Sequence, residues 1–348
     1  MKKLSVIILV IFIILFCASC IGQEGPRQVD AQQSDSQQSD TQQSDAQQFD
    51  GPRISIVCTI FPQYDWVRQI IGEELAHRFD ITFLINSGID LHSFNPSVRD
   101  MTRIKTSDVF IHVGGHSENW VDDVLRGADP DMVTLNMMEV LIDVLGEQNL
   151  LEGFCEDDCD DDHDHNFDEP HSDEHVWLSL RRSKILCEAI ADMLAEIDPE
   201  NAQTYRENVQ AYIARLSALD AEYQAMVDAA RVRTLVIADR FPFRYMMDDY
   251  DLTAYAAFQG CSAESEASFV TVISLATRLN QLGLDVVLVT ESSDQSIART
   301  VIENTETGNQ RILVLDAVHS VTVAVAETGV SYLSLMEQNL AVLREALM

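Results

Sequence analysis

Positive charge is scarce in this sequence. Its 348 residues carry 23 lysines and arginines against 57 aspartates and glutamates, a formal net charge of -34. A surface that negative repels phosphate backbones and anionic headgroups, which argues against nucleic acid or acidic lipid as partners. Motifs of common catalytic machinery are missing too. No HExxH, GxSxG or GxxxxGK[ST] occurs, so zinc-protease, serine-hydrolase and P-loop readings lack support. The apolar run Leu4–Phe16 is short for a bilayer span.

What surrounds that run explains it better. Lys2 and Lys3 precede it and small residues follow, the three-part layout of a secretory signal over residues 1–20. The ending Cys17-Ala18-Ser19-Cys20 resembles a bacterial lipobox, in which Cys20 is lipidated and becomes the first mature residue. Residues 21–52 contain four tandem pentapeptides, AQQSD, SQQSD, TQQSD and AQQFD, spanning 31–50. Polar and repetitive, they cannot bury a core and read as a disordered tether. The expected location is the outer face of a bacterial membrane, reached through a lipid anchor.

The chain is organised around Cys155–Leu180, CEDDCDDDHDHNFDEPHSDEHVWLSL. From Cys155 to His175 it carries eleven carboxylates, four histidines and two cysteines, with no Lys or Arg. Like-charge repulsion predicts a solvated loop over 155–174. Acids alone would make it a solubilising segment. Histidine adds nothing to solubility near neutral pH and is the commonest metal ligand, so His163, His165, His171 and His175 point to a divalent ion. Cys155 and Cys159 fit either a disulfide or metal. Cys58, Cys187 and Cys261 sit among apolar neighbours and read as buried thiols.

The length suits two ordinary domains. In residues 53–196, short β-branched runs at 54–60, 81–85, 109–113 and 132–135 read as buried strands. Helical patterns lie between them, one starting at an Asn95-Pro96 cap. Residues 197–232 hold one long amphipathic pattern from Asp198-Pro199 to near Arg231, a connecting spine. Residues 233–348 resume strand and helix, with strands at 234–238, 253–258, 286–290 and 312–315 and helices 269–282 and 332–347. The fold class is α/β: two lobes of parallel βα units with a cleft between them.

Candidate ligands fall where strands end and helices begin, the edge at which open α/β sheets bind ligands. His92 follows the strand 81–85, and His175 precedes a helical run from Val176 to Leu194. Across the cleft, Asp239, Glu291 and Asp316 each sit just past a strand. His112, inside a strand, reads as packing, and His116 as a spare ligand.

These residues carry a resemblance. The chain looks like the metal-binding lipoproteins of bacterial ABC importers for zinc and manganese, through NSGIDLHSFNPS (86–97), HVWLSL (175–180), GCSAESEAS (260–268), VLVTESSDQSIARTVIENT (287–305) and VLDAVHSV (314–321). The resemblance implies two lobes bridged by one rigid helix, with His92 and His175 as ligands, Asp316 as a third and Glu291 nearby. It also implies a membrane permease as partner and a monomeric receptor. One departure stands out. Where many members place a third histidine before a Phe-x-Tyr pattern, this chain reads Asp239-Arg240-Phe241-Pro242-Phe243-Arg244-Tyr245. Arginine cannot ligate a metal, so Asp239 substitutes or Asp316 and Glu291 close the site. Carboxylates suit manganese or iron as well as zinc, while the histidine-rich loop favours zinc. That loop would act as a loose collector of ions. A secreted zinc hydrolase and an adhesin whose metal only stabilises the fold are the competing classes.

Overall fold

The structure is a computed structural model describing residues 51–146, 172–258 and 267–348. Two four-stranded parallel sheets repeat one topology. The first takes β1 (Ile54–Cys58), β2 (Phe79–Phe83), β3 (Val109–His112) and β4 (Val133–Asn136) in the order β2-β1-β3-β4. The second takes β5 (Thr234–Ile237), β6 (Thr253–Ala256), β7 (Val286–Val289) and β8 (Arg311–Val314) in the order β6-β5-β7-β8. In each, the connections leave the first strand in opposite directions, placing a switch point between β1 and β3 and between β5 and β7. Ligand crevices form at such points, beyond the carboxyl ends of the strands.

Both faces of each sheet are apolar, as parallel sheets require. Ile56 and Cys58 face one core while Val57 between them faces another, and Leu235 and Ile237 alternate with Val236 in the same way. The outer faces pack small separate clusters. Val57, Ile104, Phe110 and Val124 form one under α2 (Val98–Lys105) and α3 (Trp120–Leu125). Val236, Val287, Leu275 and Val301 form the other under α8 (Phe269–Leu282) and α9 (Ser296–Glu303). The inner faces share a single cluster that runs from Ile56 to Leu347.

Helices fill that shared core: α1 (Phe61–Leu75), α4 (Met137–Leu145), α5 (Leu180–Ile197), α6 (Ala202–Ala229), α7 (Arg244–Asp249) and, near the end of the chain, α11 (Tyr332–Leu347). A short α10 (Val323–Ala326) precedes α11. Helix α6 is 28 residues, about 42 Å at 1.5 Å per residue. Its buried stripe includes Tyr205, Val209, Tyr212, Leu216, Tyr223 and Val227, and it packs on α5, α1 and α11. Polar links stitch the two lobes together. Tyr332 N donates to Asp65 Oδ2 at 2.9 Å, and its hydroxyl donates to the Trp177 carbonyl at 2.6 Å. Trp177 Nε1 donates to the Ala317 carbonyl at 2.8 Å. Val323 N donates to the Asn86 carbonyl at 3.1 Å beside the Ser87–Thr322 bridge.

Several boundaries differ from the sequence reading. Strand β2 starts at Phe79, because its register with β1 pairs Ile54 with Phe79 and Cys58 with Phe83. The apolar residues Leu84 and Ile85 continue only as loop hydrogen bonds to Cys58 and Thr59. Helix α2 is capped by Ser97, not Asn95. Asp100 N donates to Ser97 Oγ and Ser97 N to Asp100 Oδ2, a reciprocal box that leaves Pro96 outside. The run after His175 is a tight turn, Val176–Leu178, before α5 starts at its Ser179 cap. Asp198-Pro199 likewise opens a separate turn, and α6 begins three residues beyond Pro199.

Candidate metal centre

Two loops at the edge of the first sheet bring two imidazoles together. After β2 the chain forms a turn, Leu91–Ser93, capped by Asp90, whose Oδ1 accepts from Ser93 N at 3.0 Å. That turn aims His92 inward. His175 enters the turn that buries Trp177, and is itself only 3% exposed. The two Nε2 atoms lie 3.1 Å apart and the ring centroids 5.1 Å apart. Imidazoles sharing a tetrahedral zinc, with bonds of 2.0–2.1 Å, have nitrogens about 3.3 Å apart and centroids about 5 Å apart. The pair stands at ligand spacing.

The far nitrogens are held from outside. Ser117 Oγ is 2.5 Å from His92 Nδ1, and Asp173 Oδ1 is 2.9 Å from His175 Nδ1. Partners outside each ring can take its Nδ1–H, the tautomer that turns both Nε2 lone pairs toward one point. Asp173 is secured in turn: its Oδ1 also accepts from His175 N at 2.9 Å, and the Tyr245 hydroxyl donates to its carbonyl at 2.9 Å. Burial alone would raise Asp173, but the neighbouring His175 outweighs it and holds the carboxyl below the usual range. Glu174 Oε1 accepts from Ser117 N at 2.8 Å, while its Oε2 is buried without a hydrogen-bond partner, 3.9 Å from His92 Nδ1. Gly115 (φ +89°) makes room, since a Cβ there would come within 2.7 Å of Glu174. Burial first, and His175 next, push His92 down to about 4. The ring is therefore neutral at pH 7, the state a metal needs.

The acids of the second lobe stand differently. Asp239 Oδ2 accepts from Thr290 N and Oγ1 at 3.1 and 2.9 Å, and its Oδ1 from Arg240 N at 2.8 Å. It clasps the ends of β5 and β7. Arg240 reaches across to Asp90 at 2.8 Å. Glu291 Oε2 accepts from Ala317 N at 2.9 Å, and its Oε1 lies 4.0 Å from His319 Nε2. Asp316 Oδ1 accepts from Val318 N at 2.6 Å. Burial raises Glu291, with Asp316 adding to it, and burial also raises Asp316. A cleft of 420 Å³ opens beside them, lined by Asp90, Ser93, Asp239, Arg240, Ser292 and Ser320 among others.

Among the described residues, no three His, Cys, Asp or Glu side chains already surround one point. His92 and His175 come together, with further donors set back from them. His112 is buried, 3.4 Å from Glu118, and stacked on Phe110, whereas His116 is exposed beside Asn119. Cys58 and Cys187 are buried free thiols. His163, His165, His171, Cys155, Cys159, Cys20 and Cys261 lie outside the described residues, as does most of the tether. Sequence reasoning missed three residues here. Asp173 and Glu174 were absorbed into the charge run, and His319 sat unremarked inside VLDAVHSV, three positions past Asp316.

Residues 56–346 match the family described as zinc-uptake complex component A, periplasmic (ZnuA). The chain belongs to that family. Its relatives include the zinc-binding protein AdcA of Streptococcus pyogenes, 28% identical over 300 residues, 84% of this chain and 56% of that protein. The high-affinity zinc uptake system protein ZnuA of Bacillus subtilis is 26% identical over 298 residues, 86% of this chain and 89% of that protein. The chain thus spans little more than half the length of the AdcA relative. Among solved structures, the Zn(II)-bound ZnuA-like domain of Streptococcus pneumoniae AdcA superposes with a TM-score of 0.66 at 25% identity, covering 85% of this chain and 99% of that one. ZnuA-family proteins are solute-binding proteins with this two-lobe fold.

Proposed function

We propose that the chain is the extracytoplasmic receptor of an ABC importer, capturing zinc in the interlobe cleft and delivering it to a membrane permease. The spacing of His92 Nε2 and His175 Nε2, 3.1 Å with both far nitrogens held outward, is the observation that carries this reading. Two imidazole nitrogens favour zinc over manganese, which prefers all-oxygen sites. Relatives named for zinc binding and zinc uptake support the same cargo. The ligand set is His92 and His175, with Glu291 and Asp316 supplying oxygen from the second lobe. Asp239 contributes by fixing the β5–β7 junction. His163, His165 and His171 are proposed as weaker accessory ligands. The role is binding and hand-over without turnover, by a chain held at the membrane through Cys20.

The deciding experiment is titration with Zn(II) and Mn(II) against a competing chelator. One tight zinc per chain is expected, reduced at least 100-fold by His92→Ala or His175→Ala, with weaker additional ions lost on deletion of 156–170. Tight zinc binding that survives both histidine substitutions would place the site elsewhere. Metal-dependent turnover of a peptide or ester would favour the hydrolase class instead. Cys20→Ala should release the chain from membranes into the medium, and continued membrane association would rule out the anchor.

A further inference from the structure

We propose that His319 is a third imidazole of the metal centre, closing on the ion held by His92 and His175, beside Glu291. This rests on the receptor reading and adds a residue to its site. His319 is 5% exposed, and its Nδ1 is buried with no hydrogen-bond partner among the described residues. Its Nε2 stands 4.0 Å from Glu291 Oε1, beyond hydrogen-bond range. Folds rarely bury a polar ring unsatisfied unless it serves something else. The ring centroid is 6.2 Å from that of His175 and 6.0 Å from Trp177. Rings on a shared tetrahedral ion lie about 5 Å apart, so His319 stands about 1 Å farther from His175 than a shared ion would hold it. An entering ion would draw it in.

The backbone is built to present that ring. Val318 has φ +62°, a left-handed conformation that β-branched residues avoid and that persists only where the surroundings impose it. Those surroundings are on hand. Val318 N donates to Asp316 Oδ1 at 2.6 Å, and Ala317 N to Glu291 Oε2 at 2.9 Å. The Ala317 carbonyl accepts from Trp177 Nε1 at 2.8 Å. Asn339 brackets Asp316, accepting from its N–H and donating to its carbonyl, each at 2.8 Å. Trp177, two residues after His175, thus grips the loop that carries His319. The competing role is packing, a ring that merely fills the space between Trp177 and His175.

The consequence is selectivity. A third nitrogen donor favours zinc over manganese, so removing it should weaken zinc and spare manganese. The full chain and its His319→Gln variant would be titrated with Zn(II) and Mn(II), and zinc-edge X-ray absorption of the native zinc-loaded chain would count imidazoles. The expected result is a 10- to 100-fold loss of zinc affinity in the variant, manganese affinity within threefold, and three imidazoles in the native spectrum. Undiminished zinc binding by His319→Gln together with two imidazoles would overturn this inference and leave the receptor intact. No tight zinc in the native chain would overturn the receptor reading itself. Should the variant melt early, the native spectrum alone decides.

Discussion

Asp173 governs how His175 presents itself. Its Oδ1 takes both the backbone N–H and the ring Nδ1–H of His175 at 2.9 Å, so one carboxylate oxygen fixes tautomer, rotamer and backbone together. Such outer partners typically contribute about 10- to 100-fold to metal affinity. Asp173→Asn keeps the size and one acceptor but removes the charge. It should lower zinc affinity by about tenfold or more in that range, with the melting temperature of the metal-free chain nearly unchanged. Chelator competition and thermal melts on the same samples test this, and unaltered affinity would reduce Asp173 to a loop residue. A deletion of the acidic loop that ran through Asp173 would therefore damage the tight site as well as the loop.

At the scale of elements, what could be read in advance was whatever burial writes into composition. The strands were visible because both their faces are apolar, and helices Phe269–Leu282 and Tyr332–Leu347 emerged with the expected bounds. Strand limits slipped where pairing register, not hydrophobicity, sets them, as at Phe79. The cap at Ser97 lost to Asn95-Pro96 in the reading because a reciprocal box depends on the partner three residues on. Of the proposed site, the loops carrying His92, His175, Glu291 and Asp316 were all placed at the sheet edges. Asp239 reads as a donor from its position, while its bonds to Thr290 are a tertiary fact that spacing does not carry. His319 escaped because a lone histidine after a strand carries no periodic signal. Its burial and the turn at Val318 are tertiary facts.

For the whole molecule, stability and protonation are linked. His92 is held down to about 4 and His319 to about 3, whereas an unfolded histidine titrates near 6.5. Above that value neither state is protonated and the pair contributes nothing to the pH dependence. Below it the unfolded chain takes up protons that the folded chain refuses, so metal-free stability should fall as pH drops from about 6.5 toward 4. Glu174, Glu291 and Asp316 are raised by burial and act with the opposite sign nearer the carboxylate range, so the histidine effect is cleanest between pH 6.5 and 5. Melting temperatures of the metal-free protein should change little between pH 7.5 and 6.5 and fall clearly from 6.5 to 5.5. A flat profile would mean that the rings are solvated. Zinc added at the proposed site, which exists only in the folded form, should offset the decline.

The core that runs unbroken from Ile56 to Leu347 bears on how a protein of this family can be altered over time. Because both sheets rest on one floor, a change of residue in a rim loop leaves the foundation untouched. Arg240, paired with Asp90, and His319 both stand on such rim loops. Metal preference can then drift by exchanging side chains around the rim, one loop at a time, on a frame that need not be rebuilt.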